Sequence, residues 1–265
     1  MTRHLEFPKK ANLGCGYDIR ENYLNIDLHE RHGPDLVADI TKLDVLPNDW
    51  FDEIVAQDVL EHVERHKVAV ALKEWARILA PNGVIQVRVP SLELIFKMLS
   101  QPQNRPANEA AKIIHLLYGT QEYTGDYHLA GFTAAVLEQH LNDVGLQICK
   151  AEISYGWCFD VHARKTDVLD DVTEFAYSAY FKILGRPADA DGINHFTHAI
   201  KSGFSRDQLL KELQESREGR AFWTGPSYLL DHLDTVQPIA SASRVADTRP
   251  TVRGALSDLR SAIFG

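Results

Sequence analysis

Between residues 10 and 89, short apolar runs recur, and each ends on glycine, proline or an acidic residue. Residues 10–13 stop at Gly14 and Gly16, 23–26 at Asp27, 36–38 at Asp39, 51–56 near Asp58, and 84–89 at Pro90. A helical pattern over 65–79 separates the last two runs and stops at Ala80-Pro81-Asn82-Gly83. Alternation of this kind predicts an α/β fold with a parallel sheet and helices on both faces. Ligands of such sheets bind outside the carboxyl ends of the strands. The polar residues of this chain fall at those ends.

The chain then changes character twice. Residues 92–131 read as less regular, with a polar loop over 101–109. A helix over 132–144 follows, with Thr133 as N-cap and Gly145 just past its end. Residues 146–153 and 158–163 read as two antiparallel strands that close the sheet. After Lys165 the strand signals stop. One helix is predicted over 172–184, with Phe175, Tyr177, Tyr180, Phe181 and Leu184 as its apolar contacts, and it breaks at Gly185-Arg186-Pro187. A second begins near Ala190, and a third at the N-cap candidate Ser205, running toward Arg217. The expected organisation is an α/β domain over 1–165, a small all-α domain over 168–225, and a partly flexible tail over 226–265.

Composition removes several functions. Apolar residues make up 45% and charged residues 25% of the chain, the balance of an ordinary globular protein. It contains no apolar run of the ~18 residues that reads as a membrane span. The start of the sequence lacks a secretory leader pattern, so a cytoplasmic location is expected. Cys15, Cys149 and Cys158 form no C-x-x-C pair, which argues against a thiolate zinc site or a disulfide framework. A net charge of −9 disfavours nucleic acid as a partner.

The chemistry concentrates in Asn12-Leu13-Gly14-Cys15-Gly16 and in Asn25-Ile26-Asp27. Glycine after a strand lets a ligand approach the backbone, and an acid ending the next strand accepts hydrogen bonds from a ribose diol. Asp27 follows Gly16 by 11 residues, closer than the ~20 of dinucleotide enzymes. With Gln57-Asp58-Val59-Leu60-Glu61-His62 and LAPNGVIQVRVPS, the run over 12–91 resembles the class I, Rossmann-like S-adenosylmethionine (SAM) dependent methyltransferases. It is most similar to the bacterial group found beside glycan-assembly enzymes. The resemblance continues in HLAGFTAAVLEQHLNDVGL, which is similar to a late His-x(4)-Thr helix of that family.

The resemblance implies SAM as cofactor. Gly14 and Gly16 would line its methionine part, with Asn12, Cys15 and Leu28 adjoining. Asp27 would hold the ribose, Asp39 and Ile40 the adenine, and Gln57 and Asp58 the methionine end. It also implies O-methylation of a sugar or glycan intermediate in polysaccharide biosynthesis. His62 and His128 are the candidate general bases, with Asp58 beside them. Departures are Asn12, where many relatives carry an acid, and Asn82-Gly83 in place of Gly-Gly. They keep open a non-catalytic scaffold as the alternative.

A metal stays undecided. Asp58-x-x-Glu61-His62 resembles an element of metal-dependent small-RNA and quinone-precursor O-methyltransferases, and His128 could complete a ligand set. That leaves metal-assisted methylation of a small phenolic or quinone precursor as another reading. Yet the same Leu-Glu-His run occurs in metal-free class I enzymes, where Glu61 would serve as a structural charge. His62 and His66 share a helical spacing, but no glutamate stands between them as in H-E-x-x-H. Tyr118, Tyr123, Tyr127 and Trp157 are aromatic residues that can either stack on an acceptor or pack the 92–131 region onto the sheet.

In the last third, LGR-x-x-D-x-x-G around Gly185 resembles a helical domain of unknown function related to phycobilisome linkers. The resemblance implies an interaction element, serving a protein partner or self-association. Asp189-x-Asp191-Gly192 is too short for a calcium loop.

Overall fold

The structure is a computed structural model and describes residues 7–122 and 125–223. Seven strands form one sheet: β1 (Lys10–Leu13), β2 (Leu24–Asp27), β3 (Leu36–Val37), β4 (Phe51–Gln57), β5 (Leu79–Pro90), β6 (Leu146–Ser154) and β7 (Cys158–Lys165). Their order is β3-β2-β1-β4-β5-β7-β6. The first five are parallel, and β7 pairs antiparallel with both β5 and β6. All four residues of β2 are buried, as are Ala11, Asn12 and Leu13 of β1. Successive strand residues point to opposite faces, so both faces are covered. The order reverses between β1 and β4, which places the ligand crevice at their carboxyl ends.

The helix α1 (Val68–Ile78) follows a short 3-10 turn at Arg65–Lys67, and its buried Trp75 donates from Nε1 to the Ile40 carbonyl at 3.0 Å. The expected stop at Ala80 to Gly83 lies inside the extended span of β5. Asn82 takes a positive φ there, and the β4–β5 register shifts between Phe51 and Glu53 to absorb the kink.

Residues 92–131 are more regular than expected. They hold α2 (Leu92–Ser100) and α3 (Ala107–Tyr118). Ser91 caps α2 by accepting the Leu94 N–H at 3.2 Å, a cap in plain view before an apolar run that the Pro- and Asn-rich loop after it obscured. The helix α4 (Ala134–Asn142) has Thr133 at its N-cap, and Gly145 follows with φ 76°.

Beyond Lys165 come α5 (Val172–Leu184), α6 (Ala190–Lys201), α7 (Arg206–Glu215) and α8 (Arg217–Trp223). The expected third helix breaks at Ser216, whose ψ of 161° is extended. A second apolar cluster around Ala179, Tyr180, Phe196 and Leu209 holds these helices together, while Phe181 points into the core of the sheet. No helix among the described residues is long and apolar enough to cross a membrane. The tail over 226–265 lies outside the described residues.

Candidate functional site

A cavity of about 340 Å³ opens at the carboxyl ends of the strands, near the lower end of the roughly 300–1,000 Å³ typical of small-molecule sites. Gly14, Gly16, Asp27, Leu28, Asp39, Ile40, Asp58 and His62 line it. Eight residues singled out from sequence therefore meet in one space.

The two glycines differ in reason. Both have positive φ, 61° and 49°. A Cβ on Gly14 would sit 2.1 Å from Val59 Cγ2, so it is the chain's own β4 loop that excludes a side chain there. At Gly16 a Cβ would meet nothing within 4 Å, so this backbone borders open space in which a ligand can lie. Cys15 is buried and donates its N–H to the Ile26 carbonyl at 3.0 Å. Burial pushes its thiol up to about 11, which suits a packing role behind the loop.

Asn12 lies under the same loop and is absent from the cavity wall. Its Nδ2 donates to the Asp18 carbonyl at 2.7 Å and to Asn25 Oδ1 at 3.2 Å. Asn25 in turn donates from Nδ2 to Asp35 at 2.8 Å. Asn12 thus tensions the loop through neutral amides. Gln57 also lies off the wall, with its Oε1 accepting from Arg20 Nη2 at 2.8 Å.

Asp27 is buried and accepts three N–H donors: Gly16 at 2.9 Å on Oδ2, and His29 N–H at 2.8 Å and His32 Nδ1 at 2.9 Å on Oδ1. Burial works to raise its carboxyl, but these bonds outweigh it and hold the group below the usual aspartate value. Asp39 accepts from the Thr41 N–H at 2.8 Å and hydroxyl at 2.7 Å, which fixes its turn. Asp58 has φ 52°, and Arg88 grips its carboxylate from Nε at 2.9 and 3.0 Å and from Nη2. That grip holds the Arg88 guanidinium well above its ordinary value.

His62 lines the cavity, whereas His128 adjoins it off the wall; His62 Nδ1 contacts the Tyr127 carbonyl and His128 Nδ1 the Leu116 carbonyl, both at 3.1 Å. A carbonyl only accepts, so each Nδ1 carries a hydrogen, and in the neutral ring Nε2 is the acceptor atom. The two rings stand edge to face, 4.9 Å apart. Burial lowers the His128 pKa, and His62 adds to that. Glu61 is 2% exposed, its Oε2 has no partner, and burial pushes its carboxyl up to about 8. Donor atoms of Glu61, His62 and His128 lie within 4.8 Å of one another. Asp58 is committed to Arg88 and is not in that set. The Glu61 carbonyl accepts from Leu129 at 2.7 Å and Ala130 at 3.0 Å, which brings the loop carrying His128 to this turn.

Tyr118 and Tyr127 are exposed and Trp157 is half-buried, whereas Tyr123 lies outside the described residues. Sequence reasoning missed His29, His32, Thr41, Val63, Glu64 and Lys67 on the cavity wall. The available signal was position: each lies within a few residues of a strand-end acid or of His62.

Strand order, switch point and cavity define the class: a Rossmann-like α/β domain with a ligand crevice at the carboxyl ends of its strands. Residues 2–87 match a family model described as a methyltransferase domain, and residues 163–222 match the Domain of unknown function (DUF4214). Over residues 2–87 the chain is thus similar to a methyltransferase domain. None of the curated proteins matches the sequence.

Among solved structures, a possible exported protein from Bordetella parapertussis aligns at 16% identity and a TM-score of 0.44, covering 62% of this chain and 64% of its own. This chain therefore spans less than two thirds of that protein's length. A SAM-dependent methyltransferase from Methanosarcina mazei aligns at 17% identity and 0.43, covering 59% and 92%. The 1,6-didemethyltoxoflavin-N1-methyltransferase of Burkholderia thailandensis, with bound S-adenosylhomocysteine, aligns at 14% and 0.40, covering 60% and 71%.

The residues present fit SAM. The wall offers an open glycine backbone at Gly16, a charged acceptor at Asp27, and two further acidic residues, Asp39 and Asp58.

Proposed function

We propose that this protein O-methylates a sugar or glycan intermediate of bacterial polysaccharide assembly in the cytoplasm, with SAM as donor. The observation that carries the reading is that Asp27 and His62 line the same cavity. Bound SAM supplies an electrophilic methyl group on a sulfonium and leaves as S-adenosylhomocysteine.

The chain's residues do the rest. Gly14 and Gly16 accommodate the methionine part, Asp27 the ribose, and Asp39 and Ile40 the adenine. Asp58, locked by Arg88, presents a fixed negative charge to the sulfonium end. His62, on the cavity wall, takes the acceptor's hydroxyl proton, with His128 beside it as second base. Holding the acceptor in line, about 3–3.5 Å from the methyl carbon, contributes most of the rate. Exposed Tyr118 and Tyr127 provide ring faces for a sugar. The helices beyond Lys165 serve as an interaction element.

Calorimetry with SAM and S-adenosylhomocysteine tests the donor half, with Asp27→Ala expected to abolish binding. Absence of binding by the intact chain leaves the non-catalytic scaffold. Methylation of nucleotide sugars or lipid-linked saccharides tests the acceptor half.

A second reading is favoured by one observation: Glu61, whose buried Oε2 has no partner, has a carboxylate oxygen within 4.8 Å of a ring nitrogen of both His62 and His128. A carboxylate with two imidazoles suits a divalent ion of the zinc or manganese kind, which would serve a phenolic acceptor. Loss of activity on chelation, restored by metal, supports it; activity unchanged by chelator removes it.

A further inference from the structure

The Asp27 carboxylate has roughly four lone-pair positions, and the chain's own N–H groups fill three of them. Oδ1 is saturated by His29 N–H and His32 Nδ1. Oδ2 takes only Gly16 and keeps one lone pair, on a residue that lines the cavity. This carboxylate is therefore built to accept one further hydrogen bond rather than a symmetric pair.

His32 is the side chain that imposes the asymmetry. It sits on a short 3-10 turn at Glu30–His32, buried, and the left-handed Gly33 closes the turn with its N–H on the Glu30 carbonyl at 2.9 Å. A carboxylate only accepts, so Nδ1 carries the hydrogen. Arg31 Nε donates to Nε2 at 3.3 Å, which fixes that tautomer. Tyr17 stands edge-on to the ring at 4.7 Å and His29 at 5.7 Å. The ring is thus held from several sides, and it holds Asp27.

We propose that His32 is a cofactor-positioning residue: it ties down Oδ1 of Asp27 so that Oδ2 alone meets a single ribose hydroxyl of the adenosine ligand. This rests on the reading of Asp27 as the ribose residue. His32 acts only through Asp27, so its role must show as a dependence on ribose hydroxyls that a packing residue would not alter.

The experiment is calorimetry of the full chain with S-adenosylhomocysteine and with its 2′-deoxy and 3′-deoxy analogues. A hydrogen bond to a charged acceptor is worth about 1.5–3 kcal/mol, or roughly 10- to 150-fold. For the unsubstituted protein, one deoxy analogue is expected to lose at least about tenfold in affinity while the other binds as the parent does. In His32→Phe the parent binds more weakly and that tenfold gap closes to about threefold or less. His32→Asn, whose Nδ2 can stand near the position of Nδ1, restores the gap.

A gap that stays the same in His32→Phe overturns the proposal and makes His32 a packing residue. Equal binding of all three ligands by the unsubstituted protein overturns it too, because Asp27 then meets no ribose hydroxyl. Failure of the parent ligand to bind the unsubstituted protein sinks the cofactor reading itself, and is told apart from the other outcomes by that first titration. Should His32→Phe fail to fold, Arg31→Met tests the same point. It releases Nε2 and is expected to narrow the gap; an unchanged gap in that variant overturns the proposal.

Discussion

The ring of Phe181, on α5, stands edge-on to Phe159 of β7 with centroids 5.0 Å apart, inside the core of the sheet. The helical segment that matches the domain of unknown function thus contributes a side chain to the α/β core. Arg164 of β7 also pairs with Glu174 of α5, and Lys182 of α5 with Glu138 of α4. Phe181→Ala is expected to cost about 3–5 kcal/mol, as for other buried phenylalanines. A chain ended after Lys165 should expose Phe159 and lose more. Urea denaturation followed by tryptophan fluorescence checks both. A cost for Phe181→Ala within that of a surface substitution would show that the helices are merely appended.

Gly14 supplies a second prediction. Its φ of 61° and the 2.1 Å approach to Val59 Cγ2 oppose any side chain. Gly14→Ala should therefore destabilise by about 1–3 kcal/mol, part from φ and part from the clash. Val59→Ala in the same chain should recover the part of the clash that comes from the Val59 methyl groups, and leave the 2.7 Å approach of its Cβ and the φ part. The double-mutant cycle separates them: a coupling near zero would mean that Val59 moves freely and only φ matters.

How much of this was legible beforehand follows from range. The strands, their carboxyl-end acids and α5 are local patterns, and residues 172–184 read from sequence as the helix that forms. The cavity residues on those ends came with the strands. Asn12 and Gln57 were placed by motif position, yet their amides turn to Asp18, Asn25 and Arg20, because partners 6 to 37 residues away decide where a polar side chain points. The tie between His32 and Asp27 is a side-chain contact across a 3-10 turn, and no periodicity announces it. The pairing of His62 with His128 spans two loops joined through the Glu61 carbonyl. Residues 92–118 were legible in the Ser91 cap but were outweighed by the polar loop between their helices.

Glu61 leads to a pH prediction. Burial raises its carboxyl from 4.5 to about 8; Asp58 adds to this, while its own backbone N–H and Arg88 oppose it. A carboxyl whose folded value is raised binds a proton more tightly in the native state than in the unfolded chain. Its contribution to stability is complete below pH 4.5 and is lost as the pH rises toward 8. In the presence of chelator, Glu61→Gln should flatten that fall and melt above the parent protein at alkaline pH. Parallel melting curves from pH 5 to 9 would refute a buried, proton-binding Glu61.

Arg88 carries the last prediction, and it separates charge from geometry. The Arg88 side chain is mostly covered, Asp58 is about half exposed, and the guanidinium also lies 5.1 Å from the Tyr155 ring. A planar fork matches a carboxylate in two places; an ammonium keeps the charge but not the match. Arg88→Lys should therefore retain the sign of the local field and still release Asp58 from its orientation at φ 52°. The stability loss should be modest, about 1 kcal/mol, because solvent screens the exposed side of the pair. The loss of ligand affinity should be larger, about tenfold for S-adenosylhomocysteine, if a fixed Asp58 is what the cavity needs. Calorimetry and urea denaturation on the same variant give the two numbers. Affinity that follows stability, with no excess loss, would mean that Arg88 braces the end of β5 and that the orientation of Asp58 is immaterial to the ligand.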